Sequence, residues 1–168
     1  YSAQSDFWKL NLAAGSWTQS VENPVARLQH TAATDGSKLY VFGGTQAFFG
    51  PFLNDLWSFD PATETWDEVH SGGSDAPTER IGGSMVYEEA SDSLLLFAGH
   101  DFYELGNLND LWRFDIASGA WSQLREGDVA DNLNAAFCDF PADFVAIDPD
   151  SPERRSSAAS GTTADGEL

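Results

Sequence analysis

The chain is short of basic residues. Its 168 residues hold 8 Lys plus Arg against 27 Asp plus Glu, a formal net charge of -19, and Lys9 and Lys38 are the only lysines. A surface with that balance repels phosphate, so nucleic acid and anionic membranes are excluded as expected partners. It favours a protein partner with a basic surface. Cysteine is scarcer still: Cys138 stands alone, so no disulfide forms within the chain. A lone thiol fits a reducing compartment and favours the cytoplasm. No run approaches the ~18 apolar residues of a membrane span, and Tyr1-Ser2-Ala3-Gln4 is no signal peptide. The chain is nevertheless 42% hydrophobic and long enough for one domain with a sizeable core.

What is present is a repeat. Asn54-Asp55-Leu56-Trp57-Ser58-Phe59-Asp60 returns as Asn109-Asp110-Leu111-Trp112-Arg113-Phe114-Asp115, and Asp6-Phe7-Trp8-Lys9-Leu10-Asn11 is a shorter copy at the start. Each copy has a second tryptophan nine residues after the first: Trp17, Trp66 and Trp121. Asp55 to Asp110, Trp66 to Trp121 and Gly44 to Gly99 are all 55 residues apart. Short apolar runs between turn signals predict strands at Leu28 to Thr34, Lys38 to Phe42, Asp55 to Asp60 and Thr65 to His70. The next unit repeats them from Gly82 onward. Asp35-Gly36 is a hairpin turn between the first two, and Gly43-Gly44 is expected to end the second. Four short strands per unit of roughly fifty residues is the signature of a propeller blade.

The matching residues resemble the kelch family: Arg27 with His30, Gly43-Gly44, Asn54-Asp55-Leu56-Trp57 and Trp66, then Arg80, Gly99, Asn109-Asp110-Leu111-Trp112 and Trp121. The resemblance covers about residues 6 to 126; Ala98 departs from the first glycine of the pair. It implies an all-β fold of kelch-type β-propeller blades, each of four antiparallel strands. The units are 6–20 as the outer strands of a first blade, 27–70 and 80–126 as complete blades, 127–153 as a long acidic loop, and 154–168 as the start of a further blade. Three blades are too few to close a ring, so the expectation is an incomplete, open array whose ends are cuts in a larger propeller. Self-association through the open blade edges is the other way to complete it.

Antiparallel connectivity separates two ends of such an array. With strands a, b, c and d in each blade, the a–b and c–d turns share one end and the b–c and d–a loops the other. The short connections are all a–b or c–d, and the long ones, Thr45 to Leu53, Ser71 to Glu79, His100 to Leu108 and Glu126 to Glu153, are all b–c or d–a. Binding residues tend to sit on long loops held by a rigid scaffold. The candidate partner-binding residues at that end are Phe48, Phe49, Phe52, His100, Phe102 and Tyr103. Two readings stand for the aromatics: burial under their own loops, or a hot spot for a partner.

Nothing in the chain demands catalysis. His30, His70 and His100 are spread one per segment, with no His-x-x-x-His metal pair and no Gly-x-Ser-x-Gly elbow. His30 is expected in core or hydrogen-bonding service, and Cys138 as a small packed residue. The acidic loop and its edge carry Glu126, Asp128, Asp131, Asp139, Asp143, Asp148, Asp150 and Glu153 without an EF-hand register. Arg27, Arg80 and Arg155 each open a unit. They are either an anion-binding ring or partners of buried carboxylates such as Asp55 and Asp110 between blades. The resemblance also brings in enzymes built on kelch propellers, but neither the Tyr, Cys and His copper ligands of the oxidases nor the Glu-x-x-x-Asp-x-x-x-His iron motif of plant specifier proteins is present. The reading is a non-enzymatic interaction scaffold with no cofactor. The alternative is part of a propeller enzyme acting on a carbohydrate or small molecule.

Overall fold

The computed structural model describes residues 3–101, 106–127, 152 and 155–161. Among the described residues ten strands form: β1 (Trp8–Asn11), β2 (Ser16–Gln19), β3 (Thr31–Thr34), β4 (Leu39–Thr45), β5 (Phe52–Asp60), β6 (Thr65–His70), β7 (Ser84–Glu88), β8 (Ser93–Asp101), β9 (Gly106–Asp115) and β10 (Ala120–Arg125). They make a two-stranded hairpin, β1-β2, and two four-stranded sheets in the orders β3-β4-β5-β6 and β7-β8-β9-β10. Every pairing is antiparallel between neighbours in sequence. The architecture is all-β, in four-stranded blades of the kelch kind, and the array does not close.

The ladders run further than the apolar pattern implied. Gly43-Gly44 does not end β4: after a bulge at Gly43, Gly44 pairs with Leu53 and Thr45 with Phe52. The b–c connection is therefore residues 46–51, six residues rather than nine. Glycine makes this possible. Gly43 and Gly44 have φ of +63° and +95°, and a Cβ at Gly44 would lie 2.6 Å from the Leu28 carbonyl oxygen. The close approach is used, because Gly44 N–H donates to the Arg80 carbonyl at 2.9 Å, tying one blade to the linker of the next. The a strands are shorter than expected for a related reason. Gln29 turns left-handed (φ 54°), leaving Leu28 as an isolated bridge to Thr45 ahead of β3.

The a–b turn at Asp35-Gly36 is stabilised by its own aspartate. Asp35 Oδ1 accepts from the backbone N–H groups of Ser37 and Lys38, both at 2.7 Å. In the next blade the a–b turn is a short 3-10 turn, Glu89–Ser91, capped by the Glu88 carboxylate.

Each complete sheet buries apolar side chains on both faces, which is why Tyr40-Val41-Phe42 and Leu94-Leu95-Leu96 are unbroken rather than alternating. One core cluster lies between the blades: Tyr40, Phe42 and Leu56 pack with Met85, Leu94, Leu96, Phe114 and Trp121. Phe42 and Trp121 meet edge to face at 5.2 Å. On the other face of the first sheet, Phe7 of the hairpin lies 4.7 Å from Phe59 and 5.4 Å from Trp66. Tryptophan at the d strand thus packs against the blade that precedes it.

Candidate functional site

The most distinctive stretch in the sequence is structural, and each residue of it has a task. Asn54 Nδ2 donates to the Gly73 and Pro77 carbonyls at 3.1 and 3.0 Å, pinning the d–a loop, and Asn109 does the same to Pro152 at 3.0 Å. Asp55 takes both Nη groups of Arg27, at 3.0 and 2.9 Å, and the Trp57 indole N–H at 2.7 Å. Asp110 takes Arg80 at 2.7 and 2.9 Å and Trp112 at 2.8 Å. The bidentate fork fixes direction as well as charge. Arg27 and Arg80 also reach the carbonyls of Gly43 (2.9 Å) and Ala98 (3.1 Å). Both arginines are buried. They therefore belong to carboxylate clamps, each inside its own repeat rather than between blades, and not to an anion-binding ring.

The loop end is built on these pins. At the tip of the β4–β5 hairpin, Gln46 N–H donates to the Pro51 carbonyl at 3.0 Å and Gly50 N–H to the Ala47 carbonyl at 3.1 Å. Thr45 Oγ1 adds a 2.5 Å bond to the Ala47 carbonyl. The turn is thus hydrogen-bonded across its base, and Phe48 and Phe49 project from it, 68% and 89% exposed. Their rings touch only edge to face, centroids 4.8 Å apart. Burial under their own loop is not what these two do. Phe52, by contrast, is 8% exposed at the start of β5, so it supports the hairpin from beneath and is not a surface contact. His100 is half-buried on β8, its Nδ1 2.9 Å from Asn107 Oδ1 across the hairpin. That makes it a strand residue beside the loop end. Phe102, Tyr103, Cys138 and the aspartates of the acidic loop lie outside the described residues.

His30 is exposed rather than in the core. Although solvent reaches it, partial desolvation and the nearby Arg27 guanidinium lower its pKa below 6.5. Tyr40 and Tyr87 donate to Asp35 (3.1 Å) and Asp92 (2.9 Å) at the a–b turns. Burial first, then the hydrogen bond to Asp35, pushes the Tyr40 pKa upward. Among the described residues no three His, Cys, Asp or Glu side chains converge to hold a metal.

The comparisons with known proteins agree with the geometry. Residues 1–133 match the family described as the KLHDC2/KLHL20/DRC7 Kelch-repeats domain. This chain belongs to the kelch-repeat family. Among kelch relatives, Kelch domain-containing protein 10 of Xenopus tropicalis is 26% identical over 133 residues, 74% of this chain and 31% of that protein. Multiple epidermal growth factor-like domains protein 8 of Homo sapiens is 37% identical over 126 residues, 71% of this chain but 4% of that protein. An enzyme, N-(sulfonatooxy)prop-2-enimidothioate sulfolyase of Thlaspi arvense, is 33% identical over 98 residues, 54% of this chain and 28% of that protein. The chain spans less than a third of the length of these curated relatives.

The β1-β2 hairpin carries an exposed apolar surface of the kind an open array leaves at its ends. Trp8, Leu10 and Trp17 on the β1-β2 hairpin are 46%, 42% and 62% exposed. In the repeat, the counterparts of Leu10 and Trp17 are Phe59 and Trp66, which pack against Phe7 of the preceding hairpin.

Proposed function

We propose that this kelch segment is a protein-interaction scaffold that meets its partner through the b–c and d–a loop end of its blades, led by the Phe48–Phe49 tip. Kelch domains generally mediate protein–protein interaction, and that coarse function follows from membership. The observation that carries the finer reading is the pair of exposed phenylalanines on a turn hydrogen-bonded at its base. Large aromatics held rigidly at a surface lose little conformational freedom on binding and dominate interface energetics. The net charge of -19 suits a partner with a basic surface around its hydrophobic contact. The open blade faces also suit self-association.

The test compares the proteins captured by the chain and by a Phe48→Ala/Phe49→Ala variant with unchanged melting temperature. Specific partners lost from the variant support the tip as the contact. An unchanged set of partners moves the contact elsewhere.

A second reading, part of a propeller enzyme, is favoured by the sulfolyase among the relatives. Turnover of N-(sulfonatooxy)prop-2-enimidothioate by this chain, with and without added ferrous iron, tests it. Measurable turnover would replace the scaffold reading.

A further inference from the structure

We propose that His70 is a pH-operated latch on the d–a segment that follows it, holding residues 71–75 in one arrangement when its imidazole is neutral and releasing them when it is protonated. As a regulator of partner binding the latch rests on the loop-end reading above; as a conformational switch it stands on geometry alone.

His70 is the last residue of β6, and its side chain is only 12% exposed. Across the strand pair it faces Leu56, and from the next blade the Phe114 ring meets it edge to face at 6.3 Å. Both neighbours are apolar, and the two ring nitrogens meet the d–a segment instead. Gly72 N–H donates to Nδ1 at 3.1 Å. A ring nitrogen that accepts carries no proton, so the neutral imidazole keeps its proton on Nε2. Nε2 lies 3.7 Å from Asp75 Oδ2, and among the described residues Asp75 is the one charged side chain at ion-pair distance from the ring.

Protonation removes the acceptor. An imidazolium carries N–H on both nitrogens, so two donors would face one another at the Nδ1 contact and Gly72 N–H must turn away. Asp75 does not hold the segment in its place, because its side chain is 80% exposed and its attraction for the imidazolium is screened by water. The backbone is free to respond: Gly72 and Gly73 sit at φ of +80° and +105°, and glycine reaches other conformations as readily. Movement is bounded beyond them. Ala76 lies in the core cluster, Pro77 is fully buried, and Asn54 Nδ2 keeps the Pro77 carbonyl at 3.0 Å. The other Asn54 bond, to the Gly73 carbonyl, is exposed to solvent and yields with Gly72. Further on, Arg80 N–H donates to the Leu53 carbonyl at 3.2 Å, so the segment returns beside the base of the Phe48–Phe49 hairpin.

The repeat does not require histidine at this place. The residue four after the second tryptophan of each copy is Val21, His70 or Arg125, so the strand end forms with valine or arginine there. Of the three, only histidine changes charge near neutral pH. Asn109 and Gly127 stand 55 residues after Asn54 and Gly72. The asparagine pin therefore recurs, whereas the titratable latch belongs to one d–a segment.

Nuclear magnetic resonance of the full chain from about pH 8 to about pH 5 tests this, following the His70 ring and the Gly72 amide together. The Nε2–H tautomer is expected at the upper end. As the ring titrates, the exchange protection of Gly72 N–H is expected to fall by about tenfold, the loss of one hydrogen bond. In His70→Asn, whose Oδ1 stands in for Nδ1 as an acceptor that does not titrate, Gly72 is expected to stay protected throughout. In His70→Phe, which keeps the ring contact without an acceptor, it is expected to be unprotected throughout. Both variants are first checked for native melting, and the wild-type titration stands if either fails to fold. Gly72 protection unchanged while His70 titrates, or an equal fall in His70→Asn, where His30 and His100 still titrate, overturns the latch. Binding to a partner captured through Phe48 and Phe49 is then expected to weaken several-fold on acidification in wild type and to stay level in His70→Asn. Level affinity in wild type while Gly72 switches overturns the regulation of binding; the capture comparison above needs no change of pH and judges the loop end separately.

Discussion

Replacing Arg80 by alanine is the sharpest perturbation of the scaffold. The side chain is buried and makes its hydrogen bonds to Asp110 Oδ1 (2.7 Å), Asp110 Oδ2 (2.9 Å), the Ala98 carbonyl (3.1 Å), and the Thr78 carbonyl and hydroxyl (3.0 and 3.1 Å). Without it, the Asp110 carboxylate keeps the Trp112 indole as a donor but loses its counter-charge in a site that is almost closed to water. Breaking one side of such a pair costs about 3–5 kcal/mol, because the remaining charge is stranded. For a chain of this size each kcal/mol is worth roughly 2–4 °C in melting temperature, so Arg80→Ala is expected to lower it by roughly 6–20 °C. Removing both partners should cost less than the sum. The assay is urea unfolding of Arg80→Ala, Asp110→Ala and the double variant, read as a cycle. A strong positive coupling with Arg80→Ala severely destabilised is the expected result. Arg80→Ala within about 1 kcal/mol of wild type, the range of an exposed pair, would refute the clamp as a stabilising element.

Two further predictions concern the backbone and pH. Gly36→Ala meets open space and is expected to cost only the left-handed penalty of about 1–2 kcal/mol. Gly44→Ala adds a Cβ 2.6 Å from a backbone oxygen, so in the same denaturant titration it should cost clearly more. His30 has a folded pKa lowered below its ordinary 6.5. The unfolded chain therefore binds the extra proton first, and this contribution to stability is present above pH 6.5 and lost as pH falls toward the folded pKa. His30→Asn is expected to flatten the stability change on acidification through that window; an unaltered slope would contradict it.

The fold was legible because the tryptophan spacing, the diglycines and the Asp-Leu-Trp copies share one period, and a period is a property of the sequence. The length of the ladders was not. Gly43-Gly44 looks like a stop, yet the bulge it permits carries pairing on to Thr45 and Phe52. Periodicity likewise distinguishes strand faces but not how deeply a residue sits. Phe48, Phe49 and Phe52 look alike in sequence, and only the six-residue turn between β4 and β5 separates the two exposed rings from the buried one. His30 was misplaced for a similar reason: the left-handed Gln29 delays β3 and leaves His30 outside the strand. The arginine clamps were foreseeable in their partners, since a buried cation needs a carboxylate, but their placement within one repeat depends on how the d–a linker folds back.

The proposed function depends on which end of the blades does the binding. Hydrogen exchange of the chain, free and bound to a partner captured through wild type but not through Phe48→Ala/Phe49→Ala, measures that directly. The account predicts protection of the b–c turn at residues 46–51 and of the d–a segment pinned by Asn54. Protection confined to the opposite turns, at residues 35–37 and 61–64, would contradict it.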